Sequence, residues 1–153
     1  MMTLMNNEVI NMTTMPAGKY YIGDLAYVMH GEWDEVCNLL YDEFDNMEKT
    51  GFELADGRKF ACLATKYGDG TYPVSTLMSE VIASVGVDSG TVGCINIDEV
   101  DILNMDNRPS LGVVVDFDSN FFVSYGNGGR LWFGHILVET GDVNYDEYDE
   151  DEG

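Results

Sequence analysis

Side chains able to do chemistry are few in this chain, apart from carboxylates. His30 and His135 are the only imidazoles. His135 sits in Phe133-Gly134-His135-Ile136-Leu137, which reads as the inside of a strand, with the ring satisfied by its neighbours. His30 just precedes a helical pattern and reads as a capping or surface group. No Gly-x-Ser-x-Gly elbow accompanies either of them, so a Ser–His–Asp hydrolase is disfavoured. Cys37, Cys62 and Cys94 are odd in number, widely spaced and set among apolar residues. That argues for reduced, buried thiols rather than a disulfide framework. With two His and no Cys-x-x-Cys, a structural zinc site lacks its ligands.

The carboxylates offer cation chemistry at two places. Asp116 and Asp118 stand two apart, and in a strand such residues project to the same face, where they would share a cation. Asp98-Glu99-Val100-Asp101 is similar. No twelve-residue EF-hand loop is present, and a chain this acidic generates such pairs by chance, so a solvated polar face is the default. Neither a metal nor a cofactor is expected. Two Gly-rich stretches, Lys66-Tyr67-Gly68-Asp69-Gly70-Thr71 and Asn127-Gly128-Gly129-Arg130, carry a base. They lack P-loop spacing and a following helix, so both read as turns. Asp88-Ser89-Gly90-Thr91 is also a turn, though an aspartate beside Ser and Thr would suit a site. A rival reading follows from these groups: a small-ligand- or metal-binding β-barrel, or an enzyme, whose mouth is lined by Asp24, Asp69, Asp88 and His135.

Charge is the stronger signal. In 153 residues there are 28 Asp and Glu against 7 Lys and Arg, for a net charge of −21. Direct binding of nucleic acid needs clustered bases and is excluded on this balance; an anionic membrane is disfavoured likewise. No signal peptide or spanning apolar run is seen, which points to the cytoplasm. The acids are clustered. One face of a helical pattern carries Glu32, Asp34, Glu35, Asp42, Glu43, Asp45 and Glu48. The stretch DVNYDEYDEDEG at 142–153 carries seven more acids and no base. Half of the acids therefore fall in about a fifth of the chain, where like charges repel at i, i+4. Helix acids recur at spacings comparable with nucleic-acid phosphates.

Apolar residues make up 45% of the chain, enough for a core. A flexible leader is expected over 1–16, one globular domain over 17–140, and an acidic disordered tail over 141–153. Gly18 to Asp24 reads as a first strand, continued by Ala26 to Met29 after a kink. Trp33, Val36, Cys37, Leu40, Phe44 and Met47 form one apolar stripe and predict a helix over 32–48. After it the period becomes two. Phe52–Leu54 and Lys59–Ala64 predict a hairpin with a type I′ turn at Asp56-Gly57. Strands follow at Thr71–Val74, at Glu80–Val87 and at Thr91–Ile97. Leu111–Phe117 and Asn120–Tyr125 predict another hairpin, and Arg130–Glu139 one long strand. The fold class is α+β: an antiparallel β-rich sandwich or open barrel with one amphipathic helix packed on it.

Gly18-Lys19-Tyr20-Tyr21-Ile22-Gly23-Asp24, Tyr67-Gly68-Asp69-Gly70-Thr71-Tyr72 and Val87-Asp88-Ser89-Gly90-Thr91-Val92-Gly93 resemble motifs of small, mostly uncharacterised proteins of bacteriophages and bacteria. The resemblance spans about 18–140 and brings no catalytic residues with it. In character, the acidic helix and tail are similar to phage anti-defence proteins that mimic DNA. That likeness implies a non-enzymatic inhibitor in the host cytoplasm, one that fills the basic groove of a host protein such as a nucleic-acid-binding defence nuclease. The residues expected to meet that partner are Asp34, Glu35, Asp42, Glu43 and Asp45, assisted by Asp146, Glu147, Asp149 and Glu150. Competition for the groove would exclude nucleic acid, with the on-rate raised by electrostatic steering.

Overall fold

A computed structural model describes residues 12–43, 49–76, 80–100 and 112–141. Among these residues are eleven strands, β1 to β11, and one α-helix, α1. The strands are Met12–Met15, Gly18–Gly23, Gly51–Glu53, Lys59–Ala64, Gly70–Thr76, Val81–Val87, Thr91–Asn96, Gly112–Phe117, Phe121–Tyr125, Arg130–Phe133 and Ile136–Glu139. The helix is Trp33–Glu43. All pairings are antiparallel, in two sheets. The six-stranded sheet runs β1-β9-β10-β11-β5-β6 and the five-stranded sheet β3-β4-β7-β2-β8. This is the expected β-rich α+β architecture, with three layers: six-stranded sheet, five-stranded sheet, helix.

Alternation along the strands explains the layering. In β2, Tyr20 and Ile22 point between the sheets, while Tyr21 points to the helix side. In β4, Ala61 and Leu63 face the other sheet, and Phe60 and Cys62 face the helix. These central strands are covered on both faces, which is why KFACLA and TVGCIN are nearly continuous apolar runs. The inter-sheet core includes Tyr72, Val85, Val92, Phe121, Phe133 and Val138. Helix α1 buries Val36 and Leu40, with Trp33 and Leu39 partly covered, over Leu25, Met29, Phe52 and Phe60. Full burial of such a side chain contributes about 1.5–3 kcal/mol.

The structure departs from the sequence expectations at several points. Met12–Met15, inside the expected leader, is a strand paired with β9. Residues Leu25–Tyr27 form a 3-10 turn rather than a continued strand, because the Asp24 carboxylate caps the Ala26 N–H. Helix α1 is preceded by a 3-10 turn, His30–Glu32, and residues 44–48 of the expected helix lie outside the described residues. In the β3–β4 hairpin the Gly57 N–H donates to Leu54 O, and Leu54 N–H to Arg58 O. Asp-Gly thus fills the third and fourth turn positions, with Gly57 at φ +98°, instead of the two centres of a type I′ turn.

β8 and β9 do not form a hairpin: β8 pairs with β2 and β9 with β1 and β10, in different sheets. The long strand expected at 130–139 is a tight hairpin, β10 and β11, turning at Gly134-His135 with Gly134 at φ +63°. His135 is therefore an exposed turn residue packed edge-on against Phe117, not a strand interior.

Candidate functional site

Charged side chains gather where three elements meet: the turn leading into α1, the β3–β4 turn and the 3-10 turn Ile97–Glu99. Arg58 ties them together. Its guanidinium pairs with Glu32 at 2.6 Å and with Asp56 at 2.9 Å, and it donates to Glu99 O at 2.9 Å. The Asp56 hydrogen bonds raise the Arg58 pKa further, and the guanidinium holds the Asp56 carboxyl below its ordinary range. Glu35 accepts from the Ala55 N–H at 2.7 Å, fastening the helix to the hairpin turn. Asp34 and Asp98 stand exposed beside this cluster. The fold thus brings the carboxylates of Glu32 and Asp56 and the backbone carbonyl of Glu99 to one guanidinium, with Glu35 fastened to the same hairpin turn.

Of the residues expected to meet a partner, Asp34 is exposed as required. Glu35 is half-buried and used internally, because its spacing puts it over the hairpin turn rather than in solvent. Asp42 and Glu43 are placed in the last turn of α1 by their backbone alone. Asp45, Asp146, Glu147, Asp149 and Glu150 lie outside the described residues. Asp56 and the Glu99 carbonyl were missed as partners of Arg58 at this junction, since nothing in the local sequence reports the contact between Arg58 and Glu99, 41 residues apart. Arg58, alone among so many acids, was the available hint.

The rival mouth is only partly assembled. Asp24 is fully buried. Its Oδ2 accepts from the backbone N–H groups of Asp88 at 2.7 Å and Ser89 at 2.8 Å, and its Oδ1 from Ser89 Oγ at 2.8 Å and Ala26 N–H at 3.0 Å. Ser89 Oγ and Thr91 Oγ1 share a hydrogen bond of 2.8 Å, and the Tyr27 hydroxyl donates to Asp88. The Asp24 carboxylate is saturated. It fixes the crossover by which the chain leaves β6 in one sheet and enters β7 in the other. Asp69 stands next to this turn, about one van der Waals contact from Gly90. His135 is not part of the group: it lines a separate open depression with Asp116, Asp118, Phe122 and Trp132.

Asp118 follows the end of β8, so it does not share a strand face with Asp116 in the expected way. Among the described residues no three His, Cys, Asp or Glu are grouped to hold a metal ion. The two Gly-rich stretches are turns joined to each other. Lys66 N–H donates to Thr140 Oγ1, and Thr140 in turn donates to Gly129 O through both N–H and hydroxyl.

The cysteines are free. Burial pushes the Cys62 thiol up to about 12, and Cys94 higher still. Cys37 is half-buried and raised more mildly, by burial and then by Asp34. Such thiols are poor nucleophiles, because the thiolate is the reacting form. No described helix is long and apolar enough to cross a membrane.

No protein-family model matches this chain, and no curated protein or solved structure matches it either.

Proposed function

We propose that the protein is a non-enzymatic inhibitor that presents an acidic surface to the basic groove of a nucleic-acid-binding protein. The junction of Glu32, Glu35 and Asp56 at the start of the helix and the β3–β4 turn, with Asp34 exposed next to Glu35, supports this reading most directly. A groove built for phosphates presents spaced cations, and a rigid set of carboxylates meets them without wrapping nucleic acid. Pre-organisation matters here. Glu32, Glu35 and Asp56 are already held by Arg58 and the hairpin backbone, so little ordering entropy is lost on docking. The phage-type anti-defence role, the host cytoplasm and a nuclease as the target belong to this proposal.

The groups needed for a catalytic mouth do not support the rival. Asp24 has its acceptors filled from inside the protein, and His135 belongs to another depression.

The test is capture from host lysate on the intact chain at about 0.05 M and about 0.5 M salt, with each captured protein then assayed for nucleic-acid binding. A basic nucleic-acid-binding protein, retained at low salt and released at high salt, is expected. Capture of salt-insensitive proteins alone would overturn the proposal.

A further inference from the structure

On the outward face of the six-stranded sheet, large side chains ring small ones. Register puts Met12 of β1, Ser124 of β9 and Trp132 of β10 in one row. Phe122 lies on the same side of β9 as Ser124, and its carbonyl accepts from the Gly134 N–H at 2.8 Å. Ser124 and Gly134 form a low floor, with Met12, Trp132, Phe122 and His135 standing around it. The result is an open depression of about 790 Å³. Two of its apolar walls meet solvent, Phe122 being 56% exposed and Met12 51%.

The crossover from β8 to β9 closes one end. Asp116 and Asp118 line the depression there. Asn120 pins the crossover by accepting from the Ala17 N–H at 3.2 Å. His135 packs edge-on against Phe117, with ring centroids 5.4 Å apart, which holds the imidazole at this same end. Carboxylates and aromatic rings thus meet in one concave place.

That combination selects a ligand class. The face of an aromatic ring attracts a cation, as a carboxylate does. A hard metal ion takes six or more oxygen ligands, and among the described residues no three His, Cys, Asp or Glu are grouped to hold one. An anion is repelled by the aspartates, and an uncharged apolar molecule leaves them unanswered. A guanidinium meets both demands: its flat faces stack on aromatic rings and its N–H groups bond a carboxylate. Arg130, on the same strand as Trp132, is held by Glu139 at 3.3 Å.

We propose that this depression binds an arginine side chain of a partner protein, its guanidinium taken up between the Trp132 and Phe122 rings and the Asp118 carboxylate. Asp116 stands opposite Lys19 of β2, so Asp118 is the stronger acceptor. The site lies on the layer opposite the helix and does not rest on the acidic flank.

The test is NMR titration of the intact chain with N-acetyl-arginine amide at about 0.15 M salt, read at the Ser124 amide and the Trp132 indole N–H. Saturating shifts at both are expected, with half-saturation at about 1–10 mM. Trp132→Leu keeps every charge, and Asp118→Asn keeps every ring. Each is expected to weaken binding about 3- to 10-fold at the Ser124 amide. Free arginine brings its own carboxylate toward the aspartates and binds more weakly. Asp34→Lys, on the opposite layer, leaves this binding unchanged, so failure of this proposal and failure of the acidic-flank reading are distinguishable. Shifts that rise without saturating to about 50 mM, or that sodium chloride reproduces, are diffuse attraction to a chain of −21 and overturn the proposal. So does binding that ignores either substitution, or free arginine bound as tightly as the blocked form.

Discussion

On the helix side of the molecule, the carboxylates of Glu32 and Asp56 share Arg58, and Glu35 is fastened to the adjoining hairpin turn. On the outward face of the six-stranded sheet, Arg130 and Glu139 pair across neighbouring strands, and Asp116 and Asp118 line a depression with Met12, Phe122 and Trp132. Composition is the same chain in both places, and only placement differs. A net charge of −21 is thus not a property of the whole surface. Like charges concentrated on one flank raise its local potential and its power to steer a cationic partner.

The largest effect is expected between the two surfaces, at the crossover that joins the sheets. Asp24→Ala removes a buried carboxylate and orphans the N–H groups of Asp88 and Ser89. A loss of about 3–5 kcal/mol is expected, read as a thermal midpoint lower by roughly ten degrees or more. A shift of only a degree or two would mean that water replaces the carboxylate and that the crossover is held by other contacts.

Next come the two arginines that hold ion pairs, which sharpen the contrast directly. Arg58→Met leaves Glu32 and Asp56 without their shared cation on a partly buried site. About 1–3 kcal/mol should be lost at low salt, and part of it recovered as salt screens the carboxylates. Arg130→Met on the outward face of the six-stranded sheet removes an exposed pair and should cost about 0.2–1 kcal/mol. Equal losses in urea unfolding would erase the distinction between the faces.

Thiol reactivity gives a smaller and purely kinetic contrast. At about pH 8, a disulfide reagent should modify Cys37 of the folded protein first, with Cys62 and Cys94 following only on unfolding. Prompt modification of all three would contradict the burial assigned to the central strands.

The smallest effect concerns acid. Asp56 has its carboxyl pKa lowered by the Arg58 hydrogen bonds. A depressed folded value means that the stabilisation is present above the unfolded value, near 3.8, and is lost as pH falls through the folded one. Carbon chemical shifts of the carboxyls should show Asp56 titrating below 3.8 and moving up in Arg58→Met. A midpoint unchanged by that substitution would detach Asp56 from the cluster.

The sequence reported much of this architecture because local physics dictates it. The stripe Trp33, Val36 and Leu40 made a helix legible, and Gly-bounded apolar runs marked β2, β4 and β7. Pairing was not legible. Turn residues at Asp88-Ser89-Gly90 and at 118–120 look the same whether the next strand pairs with the last or crosses to the other sheet. Hence β8 and β9 read as a hairpin although each belongs to a different sheet. The Phe133-Gly134-His135-Ile136 turn was hidden because apolar residues flank it on both sides. At the candidate site, the helix acids were visible as a stripe. The bridging of Glu32 to Asp56 and to the Glu99 carbonyl by Arg58 depends on tertiary contact. So does the internal use of Glu35, which no periodicity distinguishes from its exposed neighbour Asp34.

The most direct measurement is displacement of labelled nucleic acid from a captured basic protein, followed by fluorescence anisotropy as the intact chain is added. Competition that fails when Asp34→Lys and Asp98→Lys are combined, and that weakens steeply with salt, is the result this account predicts. Displacement unaffected by those reversals, or no displacement by the unaltered chain, would contradict it.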